Sequence, residues 1–203
     1  MKTVSFILLM FCLATSLAAQ HHHEITDALN AGEISAEHSL YHLDAEWTDH
    51  RGETYALSDF SGEPVIVVMF YGNCTQVCPM LIQDTRRLYS MVDEANRPSV
   101  TVLAITFDTE NDTPDVLRKY AEQEQLNIPG WHFMTSEAAS VRSLAMMLGV
   151  QYSKKSDGHF AHSNLVTVFD SQGRVAKRVE GLNQPMAEAA REIRSIIKTG
   201  IRQ

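Results

Sequence analysis

The stretch from residue 65 to residue 80 constrains the fold of this 203-residue chain more than any other. It reads VIVVMFYGNCTQVCPM: an apolar run rich in β-branched residues, then a glycine, then two cysteines four positions apart. An unbroken apolar run of this length predicts a central strand covered on both faces. Because Pro79 favours the first turn of a helix, Cys74 and Cys78 are predicted to lie where a buried strand passes into a helix. In α/β folds such junctions bind ligands.

The rest of the chain alternates between strand-like and helix-like patterns. Apolar runs at residues 100–107 and 165–170 predict two more buried strands, and residues 43–60 predict an N-terminal β-hairpin around a turn at 49–52. A short strand at 131–134, a hairpin strand at 174–179 and helices at about 78–96, 112–126, 136–149 and 186–198 complete the pattern. We therefore predict an α/β fold with a central mixed sheet, helices on both faces and an added N-terminal β-hairpin.

The first residues have the pattern of a secretory signal peptide. Lys2 precedes an apolar run from Val4 to Ala19 that ends in small residues. This run is shorter than the ~20 residues needed to cross a bilayer. We predict a signal peptide at 1–19, a polar lead-in at 20–40 and one domain at 41–203. The protein is expected to be periplasmic or otherwise exported and soluble after cleavage, with a retained membrane anchor as the less favoured alternative.

The net charge and the number of cysteines limit the classes of function that the chain can have. A formal net charge of −8 argues against nucleic-acid binding. Cleavage removes Cys12 and leaves only Cys74 and Cys78. A disulfide between them closes a loop too short to add much stability, whereas a helix N-terminus favours thiolates. The pair is therefore predicted to act in redox chemistry or in metal binding rather than as a structural staple.

A histidine later in the chain favours metal binding over redox chemistry for this cysteine pair. Thioredoxin-type redox proteins use C-x-x-C and place a cis-proline in the turn before the third core strand. Here that turn, residues 158–164, reads GHFAHSN and contains His162 but no proline. The inferred strand order brings His162 beside Cys74 and Cys78. Two thiolates and an imidazole suit Cu(I), which accepts three ligands; zinc is less favoured because it generally takes four.

Two further groups are candidates for metal chemistry. Asp108 ends the second core strand, where it either caps a turn or orients His162 and balances charge at the metal. Behind the signal peptide lie three consecutive histidines, residues 21–23. Cleavage after residue 18 or 19 makes His21 or His22 the third residue of the mature chain, and a free amine, two amides and that imidazole form a square-planar Cu(II) site. A solvated tail without metal is the alternative.

Three motifs resemble the Sco/SenC family: YGNCTQVCPM, FDTENDTP and AHSNLVTVFDSQGRV, with the resemblance extending over about residues 43–198. The resemblance implies a thioredoxin-like fold and one copper, Cu(I) or Cu(II), held by Cys74, Cys78 and His162. It also implies copper delivery to, or thiol reduction of, the binuclear copper site on subunit II of cytochrome c oxidase. Family members commonly carry proline and aspartate between the cysteines, where this chain has Thr-Gln-Val.

Two functions of different classes follow. The first is an exported metallochaperone that binds one copper through Cys74, Cys78 and His162 and hands it to an acceptor such as the oxidase subunit. The second is a periplasmic thiol–disulfide oxidoreductase that uses Cys74 and Cys78 and never carries copper. Other periplasmic copper carriers and thiol reductases are further expected partners. A thiol peroxidase is disfavoured, since no Thr/Ser-x-x-Cys peroxidatic motif with an arginine partner is evident.

Overall fold

The computed structural model describes residues 29–34 and 38–200. Its strands are β1 (Glu46–Asp49), β2 (Thr54–Ala56), β3 (Val65–Phe70), β4 (Thr101–Thr106), β5 (Trp131–Thr135), β6 (Tyr152–Lys154), β7 (Phe160–His162), β8 (Leu165–Phe169) and β9 (Val175–Glu180). Its α-helices are α1 (Val77–Ser90), α2 (Pro114–Gln123), α3 (Ala138–Leu148) and α4 (Ala187–Gly200). Short 3-10 helices cover Leu40–His42, Leu57–Phe60 and Glu94–Ser99. The predicted signal peptide lies outside the described residues.

Seven of these strands form one mixed sheet in the order β2-β1-β5-β4-β3-β8-β9. The central strands β3, β4 and β5 run parallel, while β8 pairs antiparallel with β3, and β1 antiparallel with β5. The carboxyl end of β3 therefore lies beside the start of β8. Strands β6 and β7 form a separate two-stranded hairpin just before β8. The predicted α/β class and central mixed sheet are confirmed.

Both faces of the central sheet are covered. Every residue of β3 and of β8 is buried, and so is every residue of β4 after its first. Helix α1 packs against β3, β8 and α4, and α2 packs against β5 and β1. None of the helices within residues 29–34 and 38–200 is long and apolar enough to cross a membrane.

The N-terminal hairpin is present but shorter than predicted. Strand β1 pairs with β2 on one side and with β5 on the other, so the hairpin extends the sheet at its edge. The expectation that strand structure continues through residue 60 is wrong, because residues 57–60 form a 3-10 helix. The Asp59 carboxylate accepts a hydrogen bond from the Ala56 N–H (2.8 Å), and such a local bond competes with strand pairing.

Two other boundaries differ from the sequence prediction. Helix α1 ends at residue 90, and the predicted continuation towards residue 96 is partly a separate 3-10 helix that contains Pro98. The segment 158–164, predicted as a turn, contains β7, which pairs with β6. Neither β6 nor β7 has a distinct sequence signal, since each is only three residues long.

A buried carboxylate joins the N-terminal hairpin to β5. Asp49 is fully buried and accepts hydrogen bonds from the N–H groups of Arg51 (2.8 Å) and Glu53 (3.1 Å), while His132 Nδ1 donates to it at 3.0 Å. Burial acts to raise the pKa of Asp49, but these hydrogen bonds outweigh it and hold the pKa below its ordinary value. The ionised carboxylate therefore stabilises the folded state.

We expect Asp49→Asn to lower the free energy of unfolding by about 2 kcal/mol or more at neutral pH, because it removes a hydrogen-bonded buried charge. A carboxyl group with a lowered pKa in the folded state contributes its stability above its unfolded pKa of about 4. That contribution is lost as the pH falls through the folded-state value. Urea unfolding from pH 7 to pH 3 should show the two proteins converging, with the exposed Asp44→Asn as control. A constant difference over this range would contradict the account.

Candidate metal centre

The loop after β3 places the two cysteines at the start of α1. The Cys74 N–H donates to the carbonyl oxygen of Tyr71 (3.3 Å), which folds the loop back on the end of β3. Helix α1 begins at Val77, one residue before the predicted start, and Gln76 makes no side-chain cap. The Cys74 sulfur instead accepts a hydrogen bond from the Cys78 N–H (3.2 Å). A sulfur atom thus binds one of the unpaired N–H groups at the helix N-terminus.

His162 also lies at the start of α1, although it comes from a later part of the chain. It ends β7, directly before the chain enters β8, which pairs with β3. Its Nε2 lies 3.5 Å from the Sγ of Cys78, and its Nδ1 donates to the carbonyl oxygen of Ser163 (3.0 Å). Since a carbonyl oxygen only accepts, Nδ1 carries a proton, and Nε2 is the ring nitrogen that faces the sulfur.

Both thiols are free, and their surroundings shift their pKa values in opposite directions. The pKa of Cys74 is lowered to about 3, chiefly because Cys78 donates a hydrogen bond to its sulfur; His162 and backbone N–H groups add to this, while burial opposes it. The pKa of Cys78 is raised far above its ordinary value, first by burial and then by the neighbouring Cys74 thiolate. Cys74 is 9% exposed and Cys78 is completely buried. The pair is therefore one thiolate with a small exposed surface and one thiol with none.

The donor atoms fit a shared metal by type and by spacing. Two atoms bound to one ion at zinc-like bond lengths, 2.3 Å for sulfur and 2.0 Å for nitrogen, lie about 3.5 Å apart at a tetrahedral angle, and this matches the distance between Cys78 and His162. Within residues 29–34 and 38–200, however, no group of three or more His, Cys, Asp or Glu is already arranged to hold an ion. Metal binding would replace the hydrogen bonds that now join Cys74, Cys78 and His162.

Aromatic rings enclose the cluster. Phe107 lies 5.1 Å from the His162 ring and stacks on Tyr152 at 5.0 Å, and Phe160 packs against both Phe107 and Tyr71. Burial raises the pKa of Tyr71, and its hydrogen bond with Cys74 adds to this. Tyr71 belongs to no motif that the sequence predicts as a site, although its position directly after β3 and before the cysteines is a usable signal.

The aspartates near the site hold the loops. Asp108 is buried, and Asn111 donates to both of its carboxylate oxygens (2.9 and 2.8 Å). The partner of His162 Nδ1 is the Ser163 carbonyl, so an orienting role for Asp108 stays a prediction. Asp112, which the sequence analysis assigns only to the start of a helix, accepts a hydrogen bond from the Gly72 N–H (2.8 Å) and one from the Thr106 hydroxyl. It ties the cysteine loop to β4.

Gly72 is necessary for this tie. A Cβ atom at position 72 would meet the Asp112 carboxylate at 2.7 Å. The glycine therefore allows the carboxylate to approach the backbone closely enough to accept its N–H. The predicted N-terminal Cu(II) site at His21 and His22 lies outside the described residues.

Solved structures share this fold, and other proteins match the chain in sequence. A SCO1/SenC family lipoprotein from Bacillus anthracis aligns with a TM-score of 0.68 and 19% identity over 74% of this chain and 91% of its own. Arabidopsis thaliana ScoI, solved with copper bound, aligns with a TM-score of 0.63 and 19% identity over 78% and 96%. In sequence, a SCO1 protein homolog of Bacillus subtilis is 24% identical over 71% of this chain and 76% of its own. A putative copper-binding protein of Stutzerimonas stutzeri is 21% identical over 90% and 91%.

The fold and the cluster together define a thioredoxin-like protein in which a histidine joins the dithiol. The family model described as SCO1/SenC matches residues 35–198, and the chain therefore belongs to this family. The predicted resemblance to the Sco/SenC proteins and the thioredoxin-like fold are both confirmed.

The lowered pKa of Cys74 leads to a test in the metal-free, reduced protein. We expect ultraviolet thiolate absorption to persist down to about pH 3 in the wild type. Cys78→Ala should raise the pKa of Cys74 because it removes the main hydrogen-bond donor, and Cys78→Ser should raise it less because a hydroxyl group still donates. Cys74→Ala should show no thiolate at neutral pH, since the pKa of Cys78 is raised. An unchanged titration in Cys78→Ala would show that this hydrogen bond does not control the thiolate.

Proposed function

We propose that this protein is a copper metallochaperone that binds one copper ion through Cys74, Cys78 and His162 and releases it to an acceptor protein. The observation that carries the proposal is the 3.5 Å contact between the Cys78 sulfur and His162 Nε2, beside the Cys74 sulfur. Soft sulfur donors with one imidazole suit copper, and a three-coordinate set suits Cu(I). Zinc is the less favoured metal because it generally takes a fourth ligand.

The three proposed ligands differ in how they are prepared for copper binding. Cys74 needs no deprotonation, because its pKa is already lowered to about 3. Cys78 must lose a proton when a metal binds, so copper uptake by this centre releases a proton. His162 keeps its orientation through the hydrogen bond from Nδ1 to Ser163 (3.0 Å). Copper is the cargo of these residues, and they bind it, orient it and exclude water from it.

The relatives support copper as the cargo. The Stutzerimonas stutzeri relative is named a putative copper-binding protein, and Arabidopsis thaliana ScoI was solved with copper bound. For this chain we propose that the acceptor is the binuclear copper site on subunit II of cytochrome c oxidase, which receives the metal or has its thiols reduced. Other periplasmic copper carriers and thiol reductases are proposed as further partners.

We also propose that the protein is exported. The apolar run that ends at residue 19 has the features of a cleaved signal peptide, and the Bacillus anthracis neighbour is described as a lipoprotein. Export to the periplasm would place the chain where copper acceptors of this kind are assembled. A retained membrane anchor is the alternative to a soluble, cleaved form.

Replacement of His162 tests the metal site directly. We expect His162→Ala to weaken Cu(I) binding at least 100-fold, since even the loss of a group that only supports a ligand costs 10- to 100-fold. His159→Ala is the matched control, because His159 lies on the same hairpin, is exposed and contacts Tyr71 rather than a cysteine. Competition with a chromophoric Cu(I) chelator measures both affinities. Equal affinity in the wild type and His162→Ala would remove the imidazole from the site.

A second candidate function, thiol–disulfide exchange without copper, is favoured by the asymmetry of the two thiols. The Cys74 thiolate, which is 9% exposed, is placed to attack a partner disulfide, and the completely buried Cys78 thiol is placed to resolve the mixed disulfide. The reaction would form the Cys74–Cys78 disulfide and reduce the partner disulfide to two thiols.

The potential of the Cys74–Cys78 disulfide separates the two functions. For a copper holder we expect a value below about −300 mV, the range of disulfides that resist reduction by glutathione. A value above about −230 mV together with rapid exchange would instead indicate an exchange catalyst. Equilibration with defined thiol–disulfide buffers, followed by alkylation of free thiols, measures it. Cys78→Ser, which cannot form the disulfide, is the control for alkylation.

A further inference from the structure

The imidazole proposed to bind copper is carried by a short hairpin and not by the main sheet. His162 is the last residue of β7, and β7 forms a two-stranded sheet with β6 in which each strand has three residues. A two-stranded hairpin is at best marginally stable on its own. The position of the His162 ring therefore depends in part on contacts from other parts of the chain.

Ser163 supplies the carbonyl oxygen that orients the ring. This oxygen accepts the hydrogen bond from His162 Nδ1 (3.0 Å). The Ser163 N–H donates to the Gln151 carbonyl oxygen (2.8 Å), and the Ser163 hydroxyl oxygen accepts a hydrogen bond from the Gln151 N–H (3.0 Å). Ser163 is 1% exposed, so water is excluded from its side chain. These bonds to Gln151 hold one side of Ser163.

The first described residues of the chain, 29–32, hold the other side, and we call them the anchoring segment. The Ser163 hydroxyl donates to the carbonyl oxygen of Asn30 (3.0 Å). The Leu29 N–H donates to the carbonyl oxygen of His162 (3.2 Å). The anchoring segment is thus hydrogen-bonded both to the residue that carries the imidazole and to the residue that orients it.

Other contacts fix the anchoring segment to α3 and β9. The Gly32 N–H donates to the Gly149 carbonyl oxygen (2.7 Å), and the Ala31 N–H donates to the Glu180 carboxylate (2.7 Å). Arg178 donates to the Gly32 carbonyl oxygen (3.2 Å). A Cβ atom at Gly149 would meet that same oxygen at 2.5 Å, so the glycine permits the close approach. The segment therefore has anchors that do not involve His162.

We propose that the anchoring segment and the Ser163 hydroxyl position His162, keep its Nε2 facing Cys78 and thereby raise the affinity of the centre for copper. This inference rests on the proposed function of that centre. The groups act through the histidine and are not ligands themselves. Because the ring is already fixed through its Nδ1 and through its backbone, it loses little freedom when Nε2 binds a metal. Groups that hold a metal-binding histidine in this way commonly change affinity by about 10- to 100-fold.

Gly32→Pro and Gly32→Ala form a matched pair that alters the anchoring segment and leaves every residue of the centre in place. Proline removes the N–H that binds Gly149. Alanine keeps it, and its Cβ would meet the Gly149 carbonyl oxygen at an ordinary 3.7 Å. Ser163→Ala is an independent second variant, since it removes the hydroxyl group and keeps the carbonyl. Each is made in the full chain, alone and combined with His162→Ala, and competition with a chromophoric chelator measures Cu(I) affinity.

We expect Gly32→Pro and Ser163→Ala each to weaken Cu(I) binding by about tenfold or more, and Gly32→Ala to bind Cu(I) as the wild type does. In the His162→Ala background the same substitutions should have no further effect, because the imidazole through which they act is gone. A general loss of structure would instead weaken binding in both backgrounds. Wild-type affinity in either Gly32→Pro or Ser163→Ala, or an equal loss in the two backgrounds, would overturn the inference.

A measurement without copper separates this inference from the function on which it rests. In the reduced, metal-free protein, NMR follows the exchange of the His162 Nδ1 proton with solvent. We expect exchange to be about tenfold faster in Gly32→Pro and Ser163→Ala than in the wild type and Gly32→Ala, because the ring opens more often.

If His162→Ala binds Cu(I) as tightly as the wild type, the proposed function fails, and the exchange rates alone decide whether the anchoring segment positions the ring. If His162→Ala weakens binding while Gly32→Pro and Ser163→Ala match the wild type in affinity and exchange, only this inference fails.

Discussion

The contact between Cys78 and His162 joins positions 84 residues apart, and the pairing of the central strands holds the two side chains together. It depends on the antiparallel pairing of β3 with β8, because β3 leads into the cysteine loop and the chain enters β8 directly after the histidine. Both strands are wholly buried. Displacing either side chain relative to the other would therefore require unpairing in the centre of the sheet, which is the costliest place to do so.

A second layer of contacts fixes the loops that carry the cysteines and His162. Asp112 binds the Gly72 N–H and the Thr106 hydroxyl, which joins the cysteine loop to the end of the neighbouring strand. The Phe107 ring packs on the ring of His162 and on Tyr152, so the hairpin that carries the imidazole is held by aromatic contacts. The cysteine loop is thus positioned by the buried Asp112 carboxylate, and the hairpin that carries His162 is positioned by ring packing.

Sequence patterns predict the parts that depend on local chemistry. The apolar strand at 65–70 and the helix after Cys78 can be read from a few residues, as can the candidate ligands, since no other cysteine follows residue 12. The patterns miss contacts made across the fold. The loop tie of Asp112, for example, depends on a glycine 40 residues earlier. The β6–β7 hairpin is too short to produce a periodic signal.

The unequal exposure of the two sulfurs imposes an order on any encounter with another protein. Cys78 has no exposed surface, and Cys74 has a small one. A partner protein can therefore reach the two sulfurs only on the side of Cys74, and the bond to the inner sulfur changes after the bond to the outer one. Cargo held by such a centre would leave stepwise through a single opening, and it would stay attached to the deeper ligands until the receiving site has taken hold.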